Sequence, residues 1–355
     1  MRDPAKIISG DINSDAIQWI RANSHRYLGK YTGTGQMTIC QLADVNPEGA
    51  TGAYFYDGVT EVQAPLCGGV DSLCEWWMRL PKFYYHAEEI EPDIWDIGFG
   101  QEPEADDWKC WDGNDLIGVF KASTDQRGYP VCRADLTLKV RMSRADFYNK
   151  VRLRGDGYSL VKFKHHSMMA FLFYAMYGNT DCQAICGSGT SNYSKTTGQT
   201  DLLGMVDTVA GGNGDSGSIN FWGLENWWGN IYECVDNVSI NNHLWTITED
   251  NGSTRQVQAG TFDGYISKVF VGEYLDMVPT AVDGSGSIGF CDDYQQSSGN
   301  ALILARSYFG SYKAGGVSFA DANYDASESF SDKSSRLAFR GTINEIESST
   351  EFMAI

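Results

Sequence analysis

The chain has 355 residues, of which 42% are hydrophobic and 13% aromatic, and its formal net charge is −19 at pH 7. This composition excludes a disordered chain, and the acidity argues against binding to nucleic acid or insertion at an anionic membrane, because both partners need clustered Lys and Arg. Apolar runs fall short of the ~20 residues of a membrane span, and the N-terminus lacks a signal-peptide pattern, so synthesis in a cytoplasm without standard export is expected.

The nine cysteines and five histidines point to neither a disulfide framework nor a metal site. An odd number of cysteines without a signal peptide favours free, buried thiols. Cys182 and Cys186 are separated by three residues, no second pair follows, and the histidines form no zinc-ligand motif. We therefore expect no cofactor.

Residues 1–70 are predicted to form an N-terminal attachment or oligomerisation region. Apolar residues near helical spacing predict a short helix over residues 13–28, followed by a turn at Gly29. Its apolar face packs either on other copies or a neighbouring protein, or on the chain itself. Alternating apolar residues among Gly and Thr over residues 31–71 predict short strands, and we place the main-domain boundary near residues 68–69.

Two strands followed by two helices are predicted in the next part of the chain. Residues 74–85 predict one strand, with Pro81 at a sheet edge, and residues 116–122 predict another. Helices are expected over residues 143–152 and 163–177. The second helix is apolar nearly all round, which indicates that it is buried.

Two segments are predicted to be irregular. The acidic residues 88–107 are expected to form a solvated hairpin or loop, where abundant oxygen ligands leave calcium open as an alternative although no EF-hand spacing occurs. Residues 178–220 are rich in Gly, Ser, Thr and Asn, and they carry neither a phosphate-binding motif nor a recognisable nucleophile setting.

The aromatic segment 221–236 is predicted to be a buried knot around which the rest of the chain folds. Its carboxylates, Glu225, Glu233 and Asp236, are expected to accept hydrogen bonds from the indole N–H groups. Strands are expected over residues 243–248 and 264–269.

The run G-L-E-N-W-W-G-N-I-Y-E-C-V-D at residues 223–236 resembles the core of the C-type-lectin-like fold, in the branch shared by formylglycine-generating enzymes and the variable proteins of diversity-generating retroelements. Cys234 stands where that pattern has Trp. The run M-R-L-P-K-F-Y-Y at residues 78–85 is similar to the opening strand of many phage and gut-bacterial proteins of this fold, and residues 335–341 are similar to its closing strand, whose arginine is held by the core.

The resemblance implies an α+β, C-type-lectin-like fold with mixed and antiparallel β-sheets and two flanking helices. This domain is expected over residues 71–345, preceded by the N-terminal helix and β-rich region and followed by a tail at 346–355. Its structural core is expected to contain Trp222, Glu225, Trp227, Trp228, Asn230, Glu233, Arg336 and Arg340.

Residues 301–341 contain Tyr, Ser, Gly and Asn, the residues that antibody loops use for adaptable contact. In the retroelement family this block is the diversified surface that faces the ligand. Among its aromatic residues, Phe309 and Phe319 have the core as an open alternative. The resemblance implies exposed ligand-binding positions at Tyr308, Phe309, Ser311, Tyr312, Ser318, Ala320, Asn323, Tyr324, Glu328, Phe330 and Asp332.

The implied function is non-enzymatic: a receptor-binding tail-fibre or surface-fibre protein of a phage or prophage virion, which attaches to a bacterial surface protein or glycan. A homotrimer is expected, with the N-terminal region contacting other virion proteins. Formylglycine-generating enzymes need a reactive cysteine pair in the closing segment, and residues 301–355 contain no cysteine. Open alternatives are a structural decoration of the virion head or tail, and a bacterial surface adhesin, which would need a signal sequence.

Overall fold

The computed structural model describes residues 7–9, 15–63, 68–190, 195–210, 217–283, 290–307 and 315–355. These residues form a mixed α+β structure in which strands predominate. The helices α1 to α5 are Asp15–Ala22, Arg144–Arg152, Phe163–Tyr177, Cys182–Cys186 and Ser349–Ala354, and a 3-10 turn is Asp201–Leu203. The strands β1 to β13 are Ile7–Ser9, His25–Gly33, Gln36–Gln41, Glu75–Arg79, Phe83–Glu91, Ile94–Gly100, Lys109–Trp111, Asp115–Lys121, Ser123–Thr124, Pro130–Val131, Tyr158–Leu160, Thr208–Ala210 and Ser218–Phe221. The strands β14 to β26 are Leu224–Glu225, Tyr232–Cys234, Val238–Asn241, Leu244–Thr248, Thr254–Gln258, Gly264–Val271, Met277–Asp283, Asp293–Gln296, Leu302–Arg306, Ala320–Asp325, Lys333–Ser334, Arg336–Arg340 and Thr342–Glu345.

A seven-stranded sheet joins the two ends of the chain. Its strand order is β11-β25-β8-β4-β2-β3-β26, antiparallel except where β26 pairs with β3. Strands from both sides of the predicted boundary at residues 68–69 therefore belong to one sheet, with Leu28 opposite Trp76. The boundary does not separate two independent sheets.

A second, ten-stranded sheet contains β22, β23 and β24, which come from the predicted binding segment 301–341. Its main path is β18-β17-β16-β22-β23-β21-β19-β20, and the short strand β15 of the aromatic segment pairs with β22 and β24. The predicted strands at residues 243–248 and 264–269 are confirmed as β17 and β19. Because β23 pairs with strands on both of its edges, its first residues lie inside the sheet.

The two predicted central helices are confirmed as α2 and α3. Ser143 caps α2, with its side chain accepting a hydrogen bond from Asp146 N. Helix α3 is buried along almost its whole length. It packs on the aromatic segment, where the His166 ring stacks on Trp227 with centroids 4.6 Å apart.

The N-terminal helix is shorter than its apolar spacing predicts. Helix α1 ends at Ala22, and a strand begins at His25 and continues through Gly29, where a turn was expected. Pairing with β3 and β4 overrides the local helical pattern, and Gly29 is needed because an added Cβ would lie 2.6 Å from Trp77 Cδ1. The apolar residues of α1 are buried against α3 and β6 of the same chain.

Proline divides the segment predicted as one strand over residues 74–85. Strand β4 ends at Arg79 and β5 begins at Phe83, so Pro81 lies between two strands that belong to different sheets. The acidic stretch that follows contains the β5–β6 hairpin and an exposed loop over residues 101–107, as predicted.

The aromatic segment 221–236 is buried at every position. It has little regular structure, because its backbone turns repeatedly through the left-handed region at Trp222, Asn226 and Asn230. The described part of the chain contains no helix long and apolar enough to cross a membrane.

Candidate functional site

The predicted structural core holds a buried ionic network. Trp222, Glu225, Trp227, Trp228, Asn230, Glu233 and Arg336 are all at most 3% exposed. Arg336 Nη2 lies 2.7 Å from Glu233 Oε1, and Lys121 Nζ lies 3.1 Å from the same oxygen. Burial alone would raise the pKa of Glu233, but the two cations outweigh it and lower that pKa. Arg340 differs from the other predicted core residues, because its side chain is 35% exposed and pairs with Asp112 and Asp115.

The carboxylates of the aromatic segment do not accept the indole N–H groups, so that prediction is wrong. Glu225 instead accepts hydrogen bonds from Thr200, Glu233 binds the buried cations, and Asp236 pairs with Arg144 at 2.6 Å. The Trp228 indole donates to the backbone carbonyl of Gly187 at 2.9 Å. Glu233 and Asp236 bind cations because a hydrogen bond between two ionised groups is stronger than one from a neutral indole.

Within the predicted binding segment 301–341, an exposed turn connects β23 to β24. Asp325 Oδ1 accepts hydrogen bonds from Ser327 N and Oγ at 2.8 and 2.6 Å, and Glu328 Oε2 accepts one from Asp325 N at 2.8 Å. These bonds to the ionised carboxyl lower the pKa of Asp325. The side chains of the turn therefore fix its shape while its outer surface stays exposed.

An aromatic cluster supports this turn from below. Lys333 Nζ lies 3.1 Å from the Tyr324 ring centroid and 4.5 Å from those of Tyr232 and Phe330. Tyr324 also contacts Phe330 edge-to-face at 5.2 Å. The Lys333 side chain is buried, and burial lowers its pKa although Asp332 and Asp321 oppose the shift. A desolvated cation among three rings holds them in fixed positions. We call Tyr324, Phe330, Lys333 and Tyr232 the aromatic cluster.

The structure brings part of the predicted ligand-binding set to the surface beside this cluster. Tyr308, Phe309, Ser311 and Tyr312 lie outside the described residues. Asn323, Tyr324 and Asp332 are partly exposed, and Glu328 and Phe330 are exposed.

Ser318 and Ala320 are fully buried, so the prediction that they are exposed is wrong. Ser318 Oγ donates a hydrogen bond to Asp292 Oδ2 at 2.5 Å, and Ala320 pairs with Tyr294 of β21. Phe319, for which the core was an alternative, is also buried and packs on Tyr232.

Sequence reasoning missed three residues near this surface. Lys333 and Tyr232 complete the aromatic cluster, and no local pattern connects them because they lie on different strands. Phe262 is 74% exposed and adjoins Asp263, whose Oδ1 accepts a hydrogen bond from Gln296 N at the end of β21 that lies beside β23. The sequence indicates Phe262 only as an aromatic residue just before the predicted strand 264–269.

Asp321 is an ionisable group buried directly behind the cluster. Burial raises its pKa to about 7, with Asp263 and Asp293 adding to the shift and Lys333 opposing it. A carboxyl whose folded-state pKa is raised loses stability as the pH rises from its unfolded value of about 3.9 through about 7.

Replacing Asp321 with Asn removes this titration while keeping an oxygen for the Asn323 N–H. We expect D321N to gain stability relative to the unmodified chain as the pH rises from about 5 to about 8. Melting temperatures at the two pH values test this, and the other buried carboxyls cancel because both proteins share them. A stability difference that is the same at both values would contradict the assignment.

Cys40, Cys74, Cys110, Cys132, Cys182, Cys186 and Cys234 have free thiols. Burial raises the pKa of Cys74, Cys132, Cys186 and Cys234 to about 12, so these residues are thiols rather than nucleophilic thiolates at neutral pH. Within the described ranges, no group of three or more His, Cys, Asp or Glu is arranged to hold a metal ion.

No family model matches the chain, and no curated protein matches it.

Proposed function

We propose that the protein is a non-enzymatic receptor-binding component of a phage or prophage virion, with a C-type-lectin-like scaffold that presents residues 323–332 to a bacterial surface protein or glycan. The observation that carries the proposal is the aromatic cluster: two partly exposed rings, Tyr324 and Phe330, held in place by a buried lysine. Preorganised aromatic residues contribute strongly to binding because little side-chain freedom is lost on association.

The scaffold supports the proposal in two respects. Helices α2 and α3 precede the aromatic segment, in the order that the resemblance implies. Arg336 of the closing strand donates hydrogen bonds to the backbone carbonyl of Glu225 and to the Glu233 side chain, so the core holds the arginine as it does in that family. A homotrimer attached to the virion through the N-terminal region would add avidity to one weak surface.

The test is a cell-binding measurement with a double variant, Tyr324→Ala with Phe330→Ala. On a bacterial strain that adsorbs the unmodified protein, we expect the double variant to bind at least tenfold more weakly, which corresponds to about 1.4 kcal/mol. Both rings are partly exposed, so their removal leaves the main core intact.

Tyr56→Ala is the matched control, since Tyr56 is 67% exposed and lies in a turn outside the closing segment. Its binding should equal that of the unmodified protein. Equal binding by the double variant would refute the proposal. Protection of residues 323–332 within assembled virions, without any adsorption of the free protein, would instead favour a structural decoration.

A further inference from the structure

A polar cleft runs along helix α2 and opens beside the proposed binding surface. One part has a volume of about 360 Å³, and the next has about 500 Å³. The two parts share Arg152, Lys162 and Asp250, so they form one elongated cleft. These volumes lie in the range of small-ligand sites.

The cleft lies on the most basic stretch of an acidic chain. Residues 139–164 contain two acidic residues, Asp146 and Asp156, against a larger set of cations. These cations are Lys139, Arg141, Arg144, Lys150, Arg152, Arg154, Lys162 and Lys164. Of these cations, Arg144, Arg152 and Lys162 line the cleft.

Acidic side chains already occupy several of the cleft cations. Arg144 pairs with Asp236 at 2.6 Å, and Lys162 pairs with Asp250. Asp250 also forms an ion pair with Arg340, whose Nε lies 3.4 Å from Asp250 Oδ2, so this carboxylate contacts more than one cation. The four cations that line the cleft, Arg144, Arg152, Lys162 and Arg340, are matched by four carboxylates, Asp156, Asp236, Glu249 and Asp250, so the lining as a whole is balanced in charge.

Arg152 is the cation that faces the cleft without a carboxylate of its own. Its guanidinium carbon lies 4.1 Å from the Tyr148 ring centroid, and Arg144 contacts the same ring at 4.9 Å. Among the residues that the structure describes, Arg152 forms no ion pair. A guanidinium that stacks on a ring keeps its planar N–H edge available for a bidentate bond to a carboxylate.

Hydroxyl groups line the remainder of the cleft. Ser239 and Thr248 lie in the first part, on neighbouring strands β16 and β17, and Ser159 lies in the second. Hydroxyls and carboxylates suit a ligand that carries several hydroxyl groups. A side-chain hydroxyl can donate a hydrogen bond to a ligand hydroxyl or accept one from it, and a carboxylate can accept one.

We propose that this cleft binds a short saccharide that carries a carboxylate, with Arg152 taking the carboxylate and Asp236 and the hydroxyl side chains taking sugar hydroxyls. The inference goes beyond the receptor-binding proposal and stands without it. The cleft adjoins that surface, since Arg141 N and Ala145 N donate hydrogen bonds to the backbone carbonyls of Phe330 and Ala326 at 2.9 and 3.1 Å. A saccharide that extends beyond the cleft would reach the turn of the closing segment.

The test is a titration of the full chain with digalacturonate, with the uncharged disaccharide maltose and with inorganic phosphate, followed by calorimetry or by saturation-transfer NMR. We expect digalacturonate to bind, maltose to bind at least tenfold more weakly, and phosphate at equal concentration not to displace it. Added salt should weaken the binding of digalacturonate, because its carboxylate contributes electrostatically.

Arg152→Gln should weaken digalacturonate at least tenfold without unfolding the chain, since Arg152 is exposed. The matched control is Arg127→Gln, because Arg127 also stacks on a tyrosine, at 4.9 Å from Tyr129, and its exposed side chain lies outside the cleft. Unchanged affinity in Arg152→Gln, equal binding of maltose, displacement by phosphate, or no binding of digalacturonate would each overturn the assignment.

Discussion

Replacing Arg336 with Met is expected to lower the free energy of unfolding by about 3–5 kcal/mol, because Glu233 loses one of its two buried cations, keeping Lys121, and buried backbone carbonyls lose their donor. Arg336 is 0% exposed, and its guanidinium serves Glu233 and the backbone carbonyls of Gly118 and Val119. Methionine fills a similar volume but donates no hydrogen bond, so these acceptors lose their partner together. Urea unfolding followed by circular dichroism measures the loss.

Arg340→Met is the matched control, four residues further along the same strand. Arg340 is 35% exposed, and its buried partner Asp115 keeps Lys164 at 3.0 Å when the arginine is removed. A partly exposed pair contributes little, so the control should lose about 1 kcal/mol or less. If the two variants lost similar stability, the buried network would not be the centre of this core.

Local patterns predict the elements whose environment is uniform. Helix α3 is apolar nearly all round and strand β8 is apolar between its two charged ends, so each is buried whatever packs on it, and both lie where the sequence places them. The first helix fails because its local periodicity competes with strand pairing. The sequence from His25 onward pairs with two other strands, and only the tertiary fold supplies them.

The candidate site shows the same limit at the level of side chains. Asn323, Tyr324, Glu328, Phe330 and Asp332 lie at the surface as composition and resemblance imply. Ala320 is buried because β23 lies in the middle of its sheet, and Ser318 is buried against Asp292; both partners are supplied only by the tertiary fold.

Long-range partners also explain the residues that the sequence does not reveal. A lysine in an acidic chain is normally solvated. Lys121 and Lys333 are buried, one beside Glu233 and the other among aromatic rings that include Tyr232, and both Glu233 and Tyr232 lie far away in the sequence. Burial of a lysine therefore needed the coordinates.

The second large effect is expected at Gly229. There the aromatic segment touches the excursion, which is our name for residues 178–220 that precede it. Gly229 has φ +78°, and an added Cβ would lie 2.9 Å from Gly189 Cα and 3.1 Å from Thr190 N. These neighbours are backbone atoms, so they cannot rotate away as a side chain could. The Asn230 N–H donates to the Thr190 carbonyl at 2.5 Å, which fixes the two segments at this separation.

Gly229→Ala is therefore expected to lower the free energy of unfolding by about 2–5 kcal/mol, the sum of left-handed strain and overpacking. Gly252→Ala separates the two contributions, because Gly252 has φ +84° and nothing within 4 Å of its added Cβ. That control should lose only about 1–2 kcal/mol from strain. Urea unfolding of both variants gives the difference, which measures how closely the excursion packs on the knot.

The contact also matters for the binding surface, since the Gly229 carbonyl accepts a hydrogen bond from Ser307 Oγ at 3.3 Å, immediately before the predicted ligand-binding positions begin. Equal losses at the two glycines would mean that the excursion yields to the added methyl group and does not hold the knot in place.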